Sequence, residues 1–211
     1  MKDNMYENIE NEVFNFINSA SNRLIKVPTN VYLLPFVTKD LTFVEKMNGV
    51  VAHTDGNNTI YIYLNVKRRV SMDNIKSICF HEYQHVVRNS IVESKESKTL
   101  LDVIIDEGCS EVFVEYALGK EYVGKWATVL SKNEINKYLE MFKHKLELTE
   151  PYEIQKFMLG NSSEYPLWLG YSMGYHLVYN YKNNEFVKDF ESLIRINPYQ
   201  VYLKSGFIIN Q

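Results

Sequence analysis

The stretch CFHEYQHVVRNS, residues 79–90, sets two histidines four residues apart with a glutamate directly after the first. On a helix, four residues turn through about 400°, so His81 and His85 project from one face and can offer two imidazole nitrogens to a single ion. Glu82 lies about 100° round, where a carboxylate can reach a water held by that ion without being a ligand, the position of a general base. Zinc takes imidazole and carboxylate ligands, and a catalytic zinc keeps three protein ligands and one open place. The spacing also suits an ordinary pair of helical histidines, so the reading turns on whether a third ligand exists.

That ligand is sought in LLDVIIDEGCSEVFVEYAL, residues 100–118. Around Glu107 a helical stripe runs through Leu100, Val103, Ile104, Val114 and Leu118, interrupted only by Ser110 and Glu111. Burying an unpaired carboxylate costs several kcal/mol, so two acids on a core-facing stripe ask for a metal, a histidine or an arginine. A zinc ion facing Glu107 answers that, and Glu111, one turn on, could accept the outward N–H of a ligand histidine and fix its tautomer. The alternative is a solvated acidic edge formed by Glu107, Glu111 and Glu115. Gly108 costs about 1 kcal/mol relative to alanine inside a helix, an expense that close approach of another helix or of a substrate would offset.

HEYQH followed by DEGCSE resembles the gluzincin arrangement, in which HExxH is followed on the next helix by a glutamate ligand. DEGCSE is similar both to the NEG ligand helix of zinc aminopeptidases and to the NEAISD type of thermolysin-like enzymes. The resemblance implies Glu107 as third ligand and Glu111 as the carboxylate behind a ligand histidine. More narrowly, the chain resembles the YjaZ-like family of predicted bacterial zinc-dependent proteases, catalogued as a domain of unknown function, through NGVVAHT, HEYQHVVR, DEGCSEVF and LGYSMGYHLV over roughly residues 30–205. It implies a zincin-like fold and one Zn2+ per chain.

The flanking sequence predicts an α+β fold in a single domain spanning 1–211. Met5, Ile9, Val13, Phe16, Ile17 and Leu24 fall at helical spacings, predicting an amphipathic helix over 3–25 that ends before Pro28. Three β-rich runs follow within 29–66: NVYLLPFV, GVVAHT and TIYIYLNV, the last two joined by the turn signal DGNN. From Ser71, a plausible N-cap, 71–211 reads as helical, in runs at 71–92, 97–120, 131–148 and 167–184. No repeat, low-complexity tract or linker interrupts the chain.

Composition narrows the function classes. A 211-residue chain with 45% hydrophobic residues is that of a globular protein, and a net charge of -3 provides no basic stripe for nucleic acid or an anionic membrane. With no span of about 20 apolar residues and no signal-peptide layout, the expectation is a soluble, cytoplasmic protein. Cys79 and Cys109 read as two buried thiols rather than a disulfide.

The leading expectation is therefore a zinc metallopeptidase that hydrolyses peptide bonds with a metal-activated water: His81, His85 and Glu107 as ligands, Glu82 as base. Tyr175 or Tyr171, in GYSMGYHLVYNY, is the candidate oxyanion donor, with Gly174 on the same face permitting close approach. By analogy with gluzincins, a peptide or protein substrate would pair in extended form with the strand at 59–64. His53 and His144 look incidental. The competing readings are a non-catalytic, zinc-stabilised peptide- or protein-binding domain and a metal-free helical interaction protein. Oligomeric state is not legible in the sequence.

Overall fold

Alternation in TIYIYLN puts Ile60, Ile62 and Leu64 on one side of a strand and Tyr61 and Tyr63 on the other; the three aliphatic side chains are buried and the two tyrosines half-buried. The computed structural model describes residues 3–37, 47–56, 58–65, 70–92, 97–160, 162–185, 187 and 189–207, with side chains from residue 8 onward. The side chain of Met5, Asn57 of the DGNN turn and Val66 lie outside the described residues. The chain is α+β, and it divides into two compact units: Met1–Glu93 with Ala117–Tyr122, and Ser94–Tyr116 with Val123–Gln211.

The first unit holds α1 (Asp3–Ser21), β1 (Asn30–Phe36), β2 (Val50–Asp55), β3 (Thr59–Asn65) and α2 (Met72–Ile91). β2 and β3, the two runs joined by the turn signal, form an antiparallel hairpin registered from Val50↔Leu64 to Asp55↔Thr59, with Gly56 at φ +60 after β2. β1 runs parallel to β3, from Asn30↔Thr59 to Phe36↔Asn65, so the sheet order is β1-β3-β2. This corrects the substrate-strand expectation: residues 59–64 form the interior strand, hydrogen-bonded along both sides, with no free edge to offer a peptide. Pro35, lacking an N–H, accordingly falls in a strand that is at the sheet's edge among the described residues.

α1 is shorter than its apolar spacing suggests. Asn18, Ser21 and Asn22 close it: the Ser21 hydroxyl and the Asn22 N–H both donate to the Asn18 carbonyl, and Leu24 lies beyond the helix. α2 starts where expected, with the Ser71 hydroxyl accepting from the Asp73 N–H, and it packs against α1 and β2. Tyr83, fully buried on α2, accepts from the Val27 N–H and donates to the Ile25 carbonyl, each at 3.0 Å, which pins the segment after α1.

The second unit contains most of α3 (Leu100–Leu118), then α4 (Lys132–Phe142), α5 (Pro151–Leu159), α6 (Leu169–Asn184), α7 (Phe190–Ile194) and α8 (Pro198–Lys204). Thr99 and Asp102 cap α3 reciprocally, as Ser131 and Glu134 cap α4. α4 stops at Phe142 and gives way to a 3-10 turn, Lys143–Lys145, short of the 131–148 run. α3 and α6 cross at Gly108 and Gly174: a Cβ on Gly108 would lie 2.2 Å from the Gly174 carbonyl oxygen, and one on Gly174 would lie 2.1 Å from that of Ile104. The helical cost of Gly108 is thus offset by backbone-to-backbone contact. Among the described residues no helix is long and apolar enough to cross a membrane, and Cys79 and Cys109 are buried thiols that form no disulfide.

Candidate metal centre

His81 and His85 stand one turn apart on α2, as the i, i+4 spacing requires, the first buried and the second half-buried. Their Nε2 atoms are 3.2 Å apart. Two nitrogens bound tetrahedrally to zinc at about 2.0–2.1 Å lie about 3.3 Å from one another, so the pair already has the spacing of two zinc ligands. Glu107, half-buried on α3, completes a group in which the offered ligand atoms all lie within 4.8 Å of one another and could hold a metal ion. Two imidazoles and one carboxylate form a donor set that zinc accepts, with a fourth position left over.

Glu82 is buried at 4% exposure. The Thr54 hydroxyl, on β2, lies 2.8 Å from Glu82 Oε2 and 3.1 Å from the Glu82 carbonyl oxygen. On the same helix the Cys79 thiol is pushed well above its usual range, by burial first and by the charge of Glu82 second, which leaves it an inert thiol. His53 projects from the opposite face of the sheet, exposed and stacked on Tyr61 and Tyr63. His144 is exposed as well.

α3 differs from the expectation in which carboxylate it buries. Glu107 is only half-buried, whereas Glu111 is 1% exposed. The Glu111 oxygens accept from the Gly124 N–H at 2.9 Å and from the Trp126 indole N–H at 2.7 Å. On the same helix, buried Asp102 accepts from the Thr99 N–H and hydroxyl, and buried Asp106 pairs with Lys98 at 2.6 Å. The acidic positions therefore do not form a solvated edge.

On α6, Tyr175 is buried and its hydroxyl donates to Glu115 Oε2 at 2.8 Å. Burial, reinforced by that hydrogen bond, pushes its phenol well above the usual range, so the hydroxyl keeps its proton. As an oxyanion donor it would first have to turn that proton from Glu115. Tyr171, one turn earlier, is half-buried, and the neighbouring His176 ring lies 2.9 Å from the Leu130 carbonyl oxygen. Thr54, Gly124 and Trp126 were not singled out in the sequence, and Glu115 entered only as a member of the solvated-edge alternative. A signal existed for Thr54 alone: it alternates with Ala52 and Val50 on the face of β2 opposite Ile60, Ile62 and Leu64, a polar side chain in a core-facing position.

A family model described as "Predicted Zn-dependent protease (DUF2268)" matches residues 8–202. No curated protein and no solved structure matches the chain.

Proposed function

The chain belongs to this family of predicted Zn-dependent proteases, and from that premise we propose that it is a zinc-dependent peptidase whose centre is built from His81, His85 and Glu107. The observation that carries the reading is the convergence of those three side chains, with the two imidazole nitrogens at zinc-ligand spacing. We propose one Zn2+ per chain, within a single zincin-like metallopeptidase domain spanning 1–211, acting in the cytoplasm.

A zinc ion so held supplies Lewis acidity, polarising a substrate carbonyl and bringing the pKa of a water toward about 7. Glu82 accepts the proton as water attacks the peptide carbonyl carbon, and returns it to the amine nitrogen as the C–N bond breaks. Its place on the ligand helix, one residue after His81, supports that role over a purely structural site, which has no use for a base. Glu111 is proposed as the carboxylate that accepts the outward N–H of a ligand histidine; a carboxylate has about four acceptor positions, so Gly124 and Trp126 do not exhaust it. Tyr175 and Tyr171 are the candidate oxyanion donors.

A peptide or protein substrate in extended form is better matched to β2 than to β3. Among the described residues β2 pairs on one side only, and it packs against the ligand helix α2. The test is elemental analysis of the purified protein with a peptide-hydrolysis assay. About one zinc per chain and hydrolysis abolished by Glu82→Gln support the reading; a chain that takes up no zinc on reconstitution rejects it.

A further inference from the structure

Thr54 has a single hydroxyl proton and faces two acceptors that belong to one residue, Glu82 Oε2 at 2.8 Å and the Glu82 carbonyl oxygen at 3.1 Å. The carbonyl can only accept, and an ionised carboxylate can only accept, so the hydroxyl is the donor in either contact. The shorter contact is to the carboxylate. Bridging the side chain and main chain of the same glutamate restricts its rotamers, and the anchor is rigid because Thr54 sits on a paired strand, opposite the fully buried Ile60.

We infer that Thr54 is a positioning residue for Glu82, its hydroxyl holding Oε2 so that Oε1 is the oxygen that takes and returns the proton. The inference rests on the reading of Glu82 as general base and adds what aims it. With Oε2 tied to the strand, a proton taken from water goes to Oε1 and leaves from Oε1 to the amine, so the same atom serves both halves of the reaction without rotation of the carboxyl group. A catalytic group displaced by about 1 Å can lose 10²-fold in rate, which is the scale on which such an anchor acts.

Thr54→Val keeps the shape and removes the hydroxyl; Thr54→Ser keeps the hydroxyl. Peptide hydrolysis by Thr54→Val is expected to lose about 10- to 100-fold in kcat, with KM within about twofold and zinc content unchanged, and Thr54→Ser to recover most of the loss. A second readout needs no turnover: in chelator-treated full chain, Thr54→Val should lower Tm less in a Glu82→Ala background than in wild type. Unchanged kcat in Thr54→Val, or equal Tm shifts in the two backgrounds, overturns the inference while Glu82→Gln remains inactive. Full activity in Glu82→Gln instead removes the catalytic reading itself, and with it the role assigned to Thr54.

Discussion

On α2, His81 and Glu82 are buried beside partners of the candidate centre itself: His81 faces His85, and Glu82 is held by a hydroxyl from β2. On α3, Asp102, Asp106 and Glu111 are just as deeply buried, and each makes a contact that holds the scaffold: a helix cap, an ion pair with Lys98, and the anchoring of the 124–126 segment. Glu107, the acid of α3 that joins the metal-capable group, is half-buried, as is Glu115, whose carboxylate accepts from the Tyr175 hydroxyl. Burial alone therefore does not mark a functional carboxylate. What separates the two sets is what each side chain faces, since an acid can be closed in wherever donors satisfy it.

The sharpest way to break this contrast is to exchange the two glutamates' fates. Glu107→Ala is expected to abolish stoichiometric zinc binding and hydrolysis together, whereas Glu111→Ala should weaken zinc by about 10- to 100-fold and destabilise the fold as well. Equal zinc retention in both variants, measured by elemental analysis after dialysis, would dissolve the distinction. Next in size, Glu82→Gln should keep about one zinc per chain and lose about 10²- to 10⁴-fold in kcat. A Glu82→Gln protein that loses its metal would make Glu82 a ligand instead of a base.

What could be read in the sequence follows the same division. HEYQH was legible because an i, i+4 pair on a helix is a local geometric fact, and the hairpin was legible because alternation and a turn signal are local too. Strand order was not. TIYIYLN alternates between aliphatic and aromatic residues, a pattern equally good for an edge or for an interior strand with one half-buried face, and only the parallel pairing of β1 decides that β3 is central. The partners of Glu111 and Tyr175 were hidden for a similar reason: Trp126 and Glu115 are 15 and 60 residues from the groups they bond. α5 and α8 were overlooked although each opens on a proline just inside its first turn, Pro151 after Glu150 and Pro198 after Asn197.

The crossing of α3 and α6 offers a purely structural test. Gly108→Ala places a methyl group into the Gly174 backbone, where no side-chain rotation can relieve the contact. Overpacking of this kind costs about 1–3 kcal/mol or more, and for a chain of this size each kcal/mol lowers Tm by about 2–4 °C. Zinc affinity should fall too, since Gly108 adjoins Glu107. A Gly108→Ala protein with unaltered Tm would mean the two helices do not meet there.

The smallest effect separates the two jobs open to Glu111. Trp126→Phe removes the indole N–H from a carboxylate that is otherwise closed in, while keeping an aromatic ring beside Trp168. A buried acceptor deprived of one donor costs about 1–3 kcal/mol, so thermal unfolding should shift down by a few degrees, and the Gly124 N–H limits the loss by continuing to hold the other oxygen. If Glu111 chiefly fastens the 124–126 segment, that shift appears with zinc affinity within about tenfold of wild type. If its chief task is to orient a ligand histidine, the order reverses: stability holds, zinc affinity drops by more than about tenfold, and the carboxylate belongs with Glu107 in the centre and not with Asp102 and Asp106 in the scaffold.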